Sequence, residues 1–454
     1  MNPELERNLW LEAGPRRLAW AGVILLVLYG MGALIGGFHP EQGAPAPGVA
    51  FVGVGVFIFS LLWAARTGGG AVLTEIADRT WDFQRLSALG PWSMTWGKLA
   101  GAASLAGLCA LSGIVMSVLG AGAAGGPSAP WHALYMAGWL VLLPAGCMTA
   151  ALVGVRKARA EGRIAQSGAV LFGLIMGVAM LCALLLSTRL ANLTNWNALG
   201  SLFGVKGGQI TWWGETLQAP AFQAISVCFF AACALIGSWR LMRLELQMRN
   251  SVFVFAAFLI IFGAWVAGFV GAQFGWAGKF AAAGLIFFVS AYASAFAEPA
   301  DRVHLSKFGE ALMRFDIGEL FTLTPAVVVA AKFAVIAAIA TAVLALMGQG
   351  PANVPLPALA SALVAFMARD LGVIAFFRFG PRPQRGDFGS ILALVLLYGV
   401  GAAVGGMFGE KMGAAFFIPS PDFPMISVAS GAAQAILVWF VAIRRMGRPE
   451  VPAD

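Results

Sequence analysis

Runs of about twenty mostly apolar residues recur along this chain, and each is long enough to cross the hydrocarbon core of a bilayer as a helix. Twelve occur, at 18–38, 49–65, 99–123, 132–155, 164–188, 217–238, 251–272, 280–297, 330–348, 356–377, 387–408 and 424–443. Between them they use up most of the 454 residues, so they leave little chain from which to build anything else. Only 11% of the residues are charged, against ~25% in a soluble domain. A water-soluble enzyme or nucleic-acid binder is thereby excluded. The 57 glycines suit helices packed closely in lipid. The expected fold is all-α, a polytopic membrane protein of about 12 transmembrane helices.

The net charge of +8 has its explanation in topology rather than in a nucleic-acid partner. With both termini cytoplasmic, the connections after spans two, four, six, eight and ten lie inside. That side then carries 24 of the Lys and Arg residues, and the outer side four (Arg189, Lys206, Lys279, Lys411), with Arg369 inside a span. The positive-inside rule selects this orientation. The stretch before the first span carries Glu4, Glu6 and Glu12, so the first span is expected to be retained and not cleaved. Cys109, Cys147, Cys182, Cys228 and Cys233 all fall in apolar stretches, with no disulfide or metal spacing. His39, His132 and His304 are dispersed and form no metal or nucleophile set.

Two cytoplasmic connections of about thirty residues, 66–98 and 298–329, share a skeleton. Leu86, Leu89, Pro91 and Lys98 in the first match Leu320, Leu323, Pro325 and Lys332 in the second at a constant offset of 234. Each lies between the second and third spans of a six-span half. The expectation is an internal duplication, 1–235 and 236–454, whose even span count makes the repeats parallel. Each half opens with a basic amphipathic segment (Leu5, Leu9 and Ala13 on one face; Leu241, Leu244 and Met248 on another) suited to lie among membrane lipid headgroups.

The stretch from Glu75 through Arg79, Thr80, Trp81, Asp82, Phe83, Arg85, Leu86, Leu89 and Pro91, closing at Gly97-Lys98, resembles the coupling-helix region of membrane subunits of the type-two ATP-binding-cassette exporters. In that family an acidic residue, a Gly-Thr-Leu-Glu-like step, a Leu-x-x-x-Pro stretch and a Gly-Lys occupy this loop. Here Thr80 and Asp82 keep the threonine and the acid, and Arg79 stands in place of the glycine. In the second half Glu319, Leu320, Leu323 and Pro325 mark the corresponding loop. The resemblance implies a permease with both six-span subunits joined in one chain. It implies two copies of a separate ATPase as partners, which would bring ATP and Mg, and a bacterial-type inner (plasma) membrane with both termini cytoplasmic. It implies no catalytic residue, metal or cofactor in this chain. Export follows from the same likeness, while a lipophilic or amphipathic cargo is expected because the sequence offers no soluble receptor region and the bundle is reached mainly from lipid.

Physically, such a loop works as a lever: a short helix seated in a groove of the ATPase moves the spans joined to it. Trp81, Phe83, Leu86 and Leu89 could supply apolar anchors, Asp82 and Arg85 the register, and Pro91 the end of the helix. Gly90 to Lys98 has the wrong spacing for a phosphate loop, and Leu99 stands where Ser or Thr would ligate magnesium. Within span ten, Arg369 and Asp370 are costly charges that mark either a translocation path or a polar contact between helices. An ion-coupled twelve-span secondary transporter is the alternative reading, and it has the same parallel repeat. The 66–98 loop is too long for it, and no long central loop joins the halves. An intramembrane enzyme finds no convergent His, Asp or Glu set.

Overall fold

A backbone N–H in hydrocarbon has no water to bond, so a chain built of long apolar runs must satisfy itself turn by turn as helix. A computed structural model describes residues 2–36, 47–87, 89–121, 129–160, 205–206, 208–351, 354–380, 385–407 and 410–446. The protein is nearly all-α and membrane-spanning. Its chain gathers into two compact units, one of 1–156, 165–211 and 216–250, the other of 157–164, 212–215 and 251–454.

In the first unit, α1 (Pro3–Glu12) precedes the long α2 (Pro15–Gly36) and α3 (Pro47–Ala77), then the short α4 (Trp81–Arg85). Next come α5 (Pro91–Ala102), α6 (Ser104–Ala121), α7 (Ala129–Ala160), which runs into the boundary between units, and α8 (Ala219–Glu245). A small antiparallel sheet of β1 (Val205–Lys206), β2 (Gln209–Trp212) and β3 (Glu215–Gln218) precedes α8. The second unit contains α9 (Phe253–Ala267), α10 (Gly275–Ala297), α11 (Arg302–Arg314), α12 (Ile317–Leu323), α13 (Ala326–Leu346) and α14 (Leu356–Arg378). It ends with α15 (Gly386–Val395), a π-helical turn over Leu396–Gly401, α16 (Ala402–Met407), α17 (Glu410–Ala414) and α18 (Pro424–Met446).

Among the described residues nine helices are long and apolar enough to cross a membrane, and α5 with α6 makes a tenth, bent by 64° at Ala103. The run at 251–272 yields only the 15-residue α9, and the run at 164–188 lies outside the described residues, as does most of 189–216. The expected span 49–65 grows to Pro47–Ala77: no proline interrupts the stretch between Arg66 and Ala77, and the Thr67 and Thr74 hydroxyls bond back to carbonyls of their own helix. The connection between the second and third runs is correspondingly shorter than the sequence suggests, 78–90.

The outward surface is apolar. On α2, Val23, Ile24, Leu26 and Val27 are all exposed, an arrangement unfavourable in water and natural in lipid. Inside the first unit, Phe57 and Leu61 of α3, Ile114 of α6, and Met136 and Trp139 of α7 form one core. In the second unit Leu259, Phe287, Ala291, Ala330 and Met367 form another.

Candidate functional site

The end of α3 sets up the loop. Arg79 adopts the left-handed conformation, φ 58°, and lets the chain turn so that Thr80 N donates to Glu75 O at 2.9 Å. That conformation is a helix C-terminal cap which glycine takes at least cost. Arg79 is the position at which the exporter-like pattern has glycine.

From this turn α4 points one face inward. Trp81 is 3% exposed and packs among Val72, Met94, Leu99, Met148, Leu152 and Met242. Phe83 and Leu86, by contrast, are 79% and 85% exposed. Of the four apolar residues expected to serve as groove anchors, these two face outward, Trp81 is core, and Leu89 packs partly buried on the same core. Asp82 and Arg85 pair with each other at 3.5 Å on the exposed side. Pro91 does not end α4; it occupies the first turn of α5 behind Gly90, where its missing N–H costs nothing.

Beneath Trp81 lies a four-charge cluster, buried except at Arg7. Lys98 Nζ, fully enclosed, donates to Glu4 Oε1 at 2.9 Å, to Glu75 Oε2 and to Gln84 Oε1. Arg7 Nη2 donates to Glu4 Oε1 at 3.0 Å and to Glu75 Oε1 at 2.6 Å, and Gln84 Nε2 donates to Glu75 Oε1 at 2.8 Å. The ammonium also lies 5.4 Å from the Trp81 ring. A buried Lys is tolerable only with such complete pairing. Gly97 and Gly101 make the approach of α1 possible: a Cβ on either would come within 2.8 Å of Glu4 Cβ and 2.4 Å of Asn8 Cβ, respectively. The cluster therefore joins α1, the end of α3, the outward-facing α4 and the start of α5. Glu4, Arg7 and Gln84 escaped the sequence reading because their partners are up to 94 residues away.

The second loop is built differently. Asp301 caps α11, accepting from Val303 N and His304 N, and Asp316 caps α12 through Glu319 N. Glu298 accepts from Ala326 N at 2.7 Å and Val327 N at 3.3 Å, seating a carboxylate on the positive end of α13. Glu319 is exposed, Leu320 and Leu323 are half-buried, and Pro325 is buried beside Ala326. The outward apolar residues are instead Met313, Phe315 and Ile317, which no sequence pattern singled out. Lys332, the counterpart of Lys98, is exposed.

Arg369 and Asp370 stand thirteen and fourteen residues into α14, and are 1% and 0% exposed. Adjacent side chains leave a helix about 100° apart, yet Arg369 folds back to bond its neighbour, Nε to Oδ1 at 2.8 Å. Tyr292 of α10 and Tyr398 of the π-turn both donate to Asp370 Oδ2 at 2.6 Å. Arg369 Nη1 donates to Gln434 Oε1 of α18 at 3.0 Å and to Phe417 O at 3.2 Å, while its plane lies against Phe366 and Tyr398. Among the described residues Nη2 has no partner, and the second carboxylate oxygen of Asp370 is taken by the two tyrosines.

Compared with known proteins, the chain matches no family model, no curated protein and no solved structure.

Proposed function

We propose that this chain is the permease of an ATP-driven exporter, a tandem of two six-span halves, 1–235 and 236–454. In this reading a separate ATP-binding-cassette ATPase docks once under each half and supplies the ATP and Mg chemistry, and the assembly sits in a bacterial-type inner membrane with both termini cytoplasmic. The observation that carries it is the two-sidedness of α4. Its outward face offers Phe83 and Leu86 to a partner, while its inward face is wired through Trp81 and Gln84 to α1, α3 and α5. A push on such a helix reaches three membrane-proximal segments at once. The glycine-like backbone of Arg79 and the close contact at Gly97 give physical reasons for two further elements of the exporter-like pattern. A lipophilic or amphipathic cargo suits a chain whose accessible surface is so largely apolar.

The ion-coupled alternative would need an intramembrane carboxylate free to take up an ion. Asp370 already accepts from Arg369 and two tyrosines, so it fits that role poorly. The decisive measurement is co-purification with a soluble ATP-binding-cassette ATPase from the same cells. Phe83→Asp with Leu86→Asp should leave the melting temperature unchanged and abolish stoichiometric ATPase binding; retained binding would overturn the docking assignment.

A further inference from the structure

At the end of α10 remote from the α11–α12 loop, the chain places a cation between two indoles. Gly268 provides the floor. A Cβ there would come within 2.2 Å of Trp212 Nε1 and 2.7 Å of Trp213 Cδ1, so the bare backbone lets both rings settle. Trp212 Nε1 donates to Trp265 O at 3.0 Å, and Trp213, with φ 53°, donates its N–H to Gly268 O at 2.8 Å. Trp213 and Trp276 then lie 5.8 Å apart at 47°. Lys279 Nζ sits 4.4 Å from the first ring and 4.8 Å from the second.

The indole faces stabilise the ammonium without neutralising it. Among the described residues no carboxylate pairs with Lys279, and Glu215, two residues beyond Trp213, leaves it alone. The contrast with Lys411, which lies on the same face in the proposed topology, is direct: Lys411 is matched by Asp422 at 2.9 Å. The first turn of α10 holds no acid either, so the helix dipole adds to the positive potential. Phe274, Trp276 and Phe280 are exposed around the lysine, an apolar rim suited to acyl chains. A held ammonium, amphipathic rings and an apolar rim together match one kind of ligand.

We propose that Lys279, boxed by Trp213 and Trp276, is a binding site for the phosphate of a membrane phospholipid. The site is independent of the ATPase reading and fails or stands separately from it. Native mass spectrometry of the full chain in detergent, with dioleoylphosphatidylglycerol and with dioleoylglycerol as probes, separates the phosphate from the chains. The phospholipid should be retained about fivefold more than the diacylglycerol. Lys279→Gln should remove that preference and leave diacylglycerol retention unchanged, while Lys279→Arg should keep it. Inorganic phosphate at millimolar concentration should not displace the phospholipid. Undiminished preference in Lys279→Gln overturns the site, and displacement by inorganic phosphate overturns its assignment to lipid.

Discussion

The two buried charge clusters solve the same problem in opposite ways. The cluster around Lys98 collects Glu4, Arg7, Glu75 and Lys98 from three separate stretches of sequence on α1, α3 and α5. One of its members, Arg7, has a side chain 44% exposed, so water can relax part of any imbalance. The cluster on α14 takes both charges from consecutive residues in the middle of a span, with nothing exposed, and must find every partner inside. It does so first with the Arg369–Asp370 pair itself and then with hydroxyls, an amide and a main-chain carbonyl. The Lys98 cluster balances four charges drawn from distant positions, whereas the mid-span pair balances each charge against its own neighbour and completes its bonding with neutral dipoles from surrounding elements.

The contrast ranks the consequences of breaking each. Asp370→Ala should be the most damaging, because it leaves the Arg369 guanidinium without a counter-charge in an enclosed site. A loss of about 5 kcal/mol is expected, read as a collapse of the melting temperature in detergent. Lys98→Met should lose about 3 kcal/mol, less because Arg7 still spans both acids; adding Glu75→Gln restores neutrality and should recover part of it. Equal losses for Asp370→Ala and Lys98→Met would erase the distinction drawn between the two environments. Arg79→Gly should act in the other direction and by the least. Relief of the left-handed strain is expected to stabilise the turn into α4 by about 1 kcal/mol, and a destabilised variant would show that the Arg79 side chain has a use of its own.

Much of this architecture is legible in the sequence, and what is hidden is hidden for definite reasons. The spans can be read because lipid demands length and apolarity and little else. The bend at Ala103 cannot, since Ala102, Ala103 and Ser104 carry no breaker and hydropathy does not register direction. Trp81 invites an outward reading because α4 is five residues long, too short for periodicity to show which face is buried. Arg369 and Asp370 announce themselves as intramembrane charges, but Tyr292, Tyr398 and Gln434 are ordinary residues until the helices are packed. In the second loop the exposed apolar residues include Met313, Phe315 and Ile317 while Leu320 and Leu323 are half-buried, because two separate helices formed where sequence matching supplied only a skeleton.

Two acids and two bases around Lys98 sum to zero, and that cancellation constrains inheritance as well as stability. A descendant that replaced position 4, 7, 75 or 98 alone would carry a stranded charge into every copy it made. Change there is expected to travel in opposite-signed pairs, so that these distant codons drift as one unit while the lipid-facing surface varies freely.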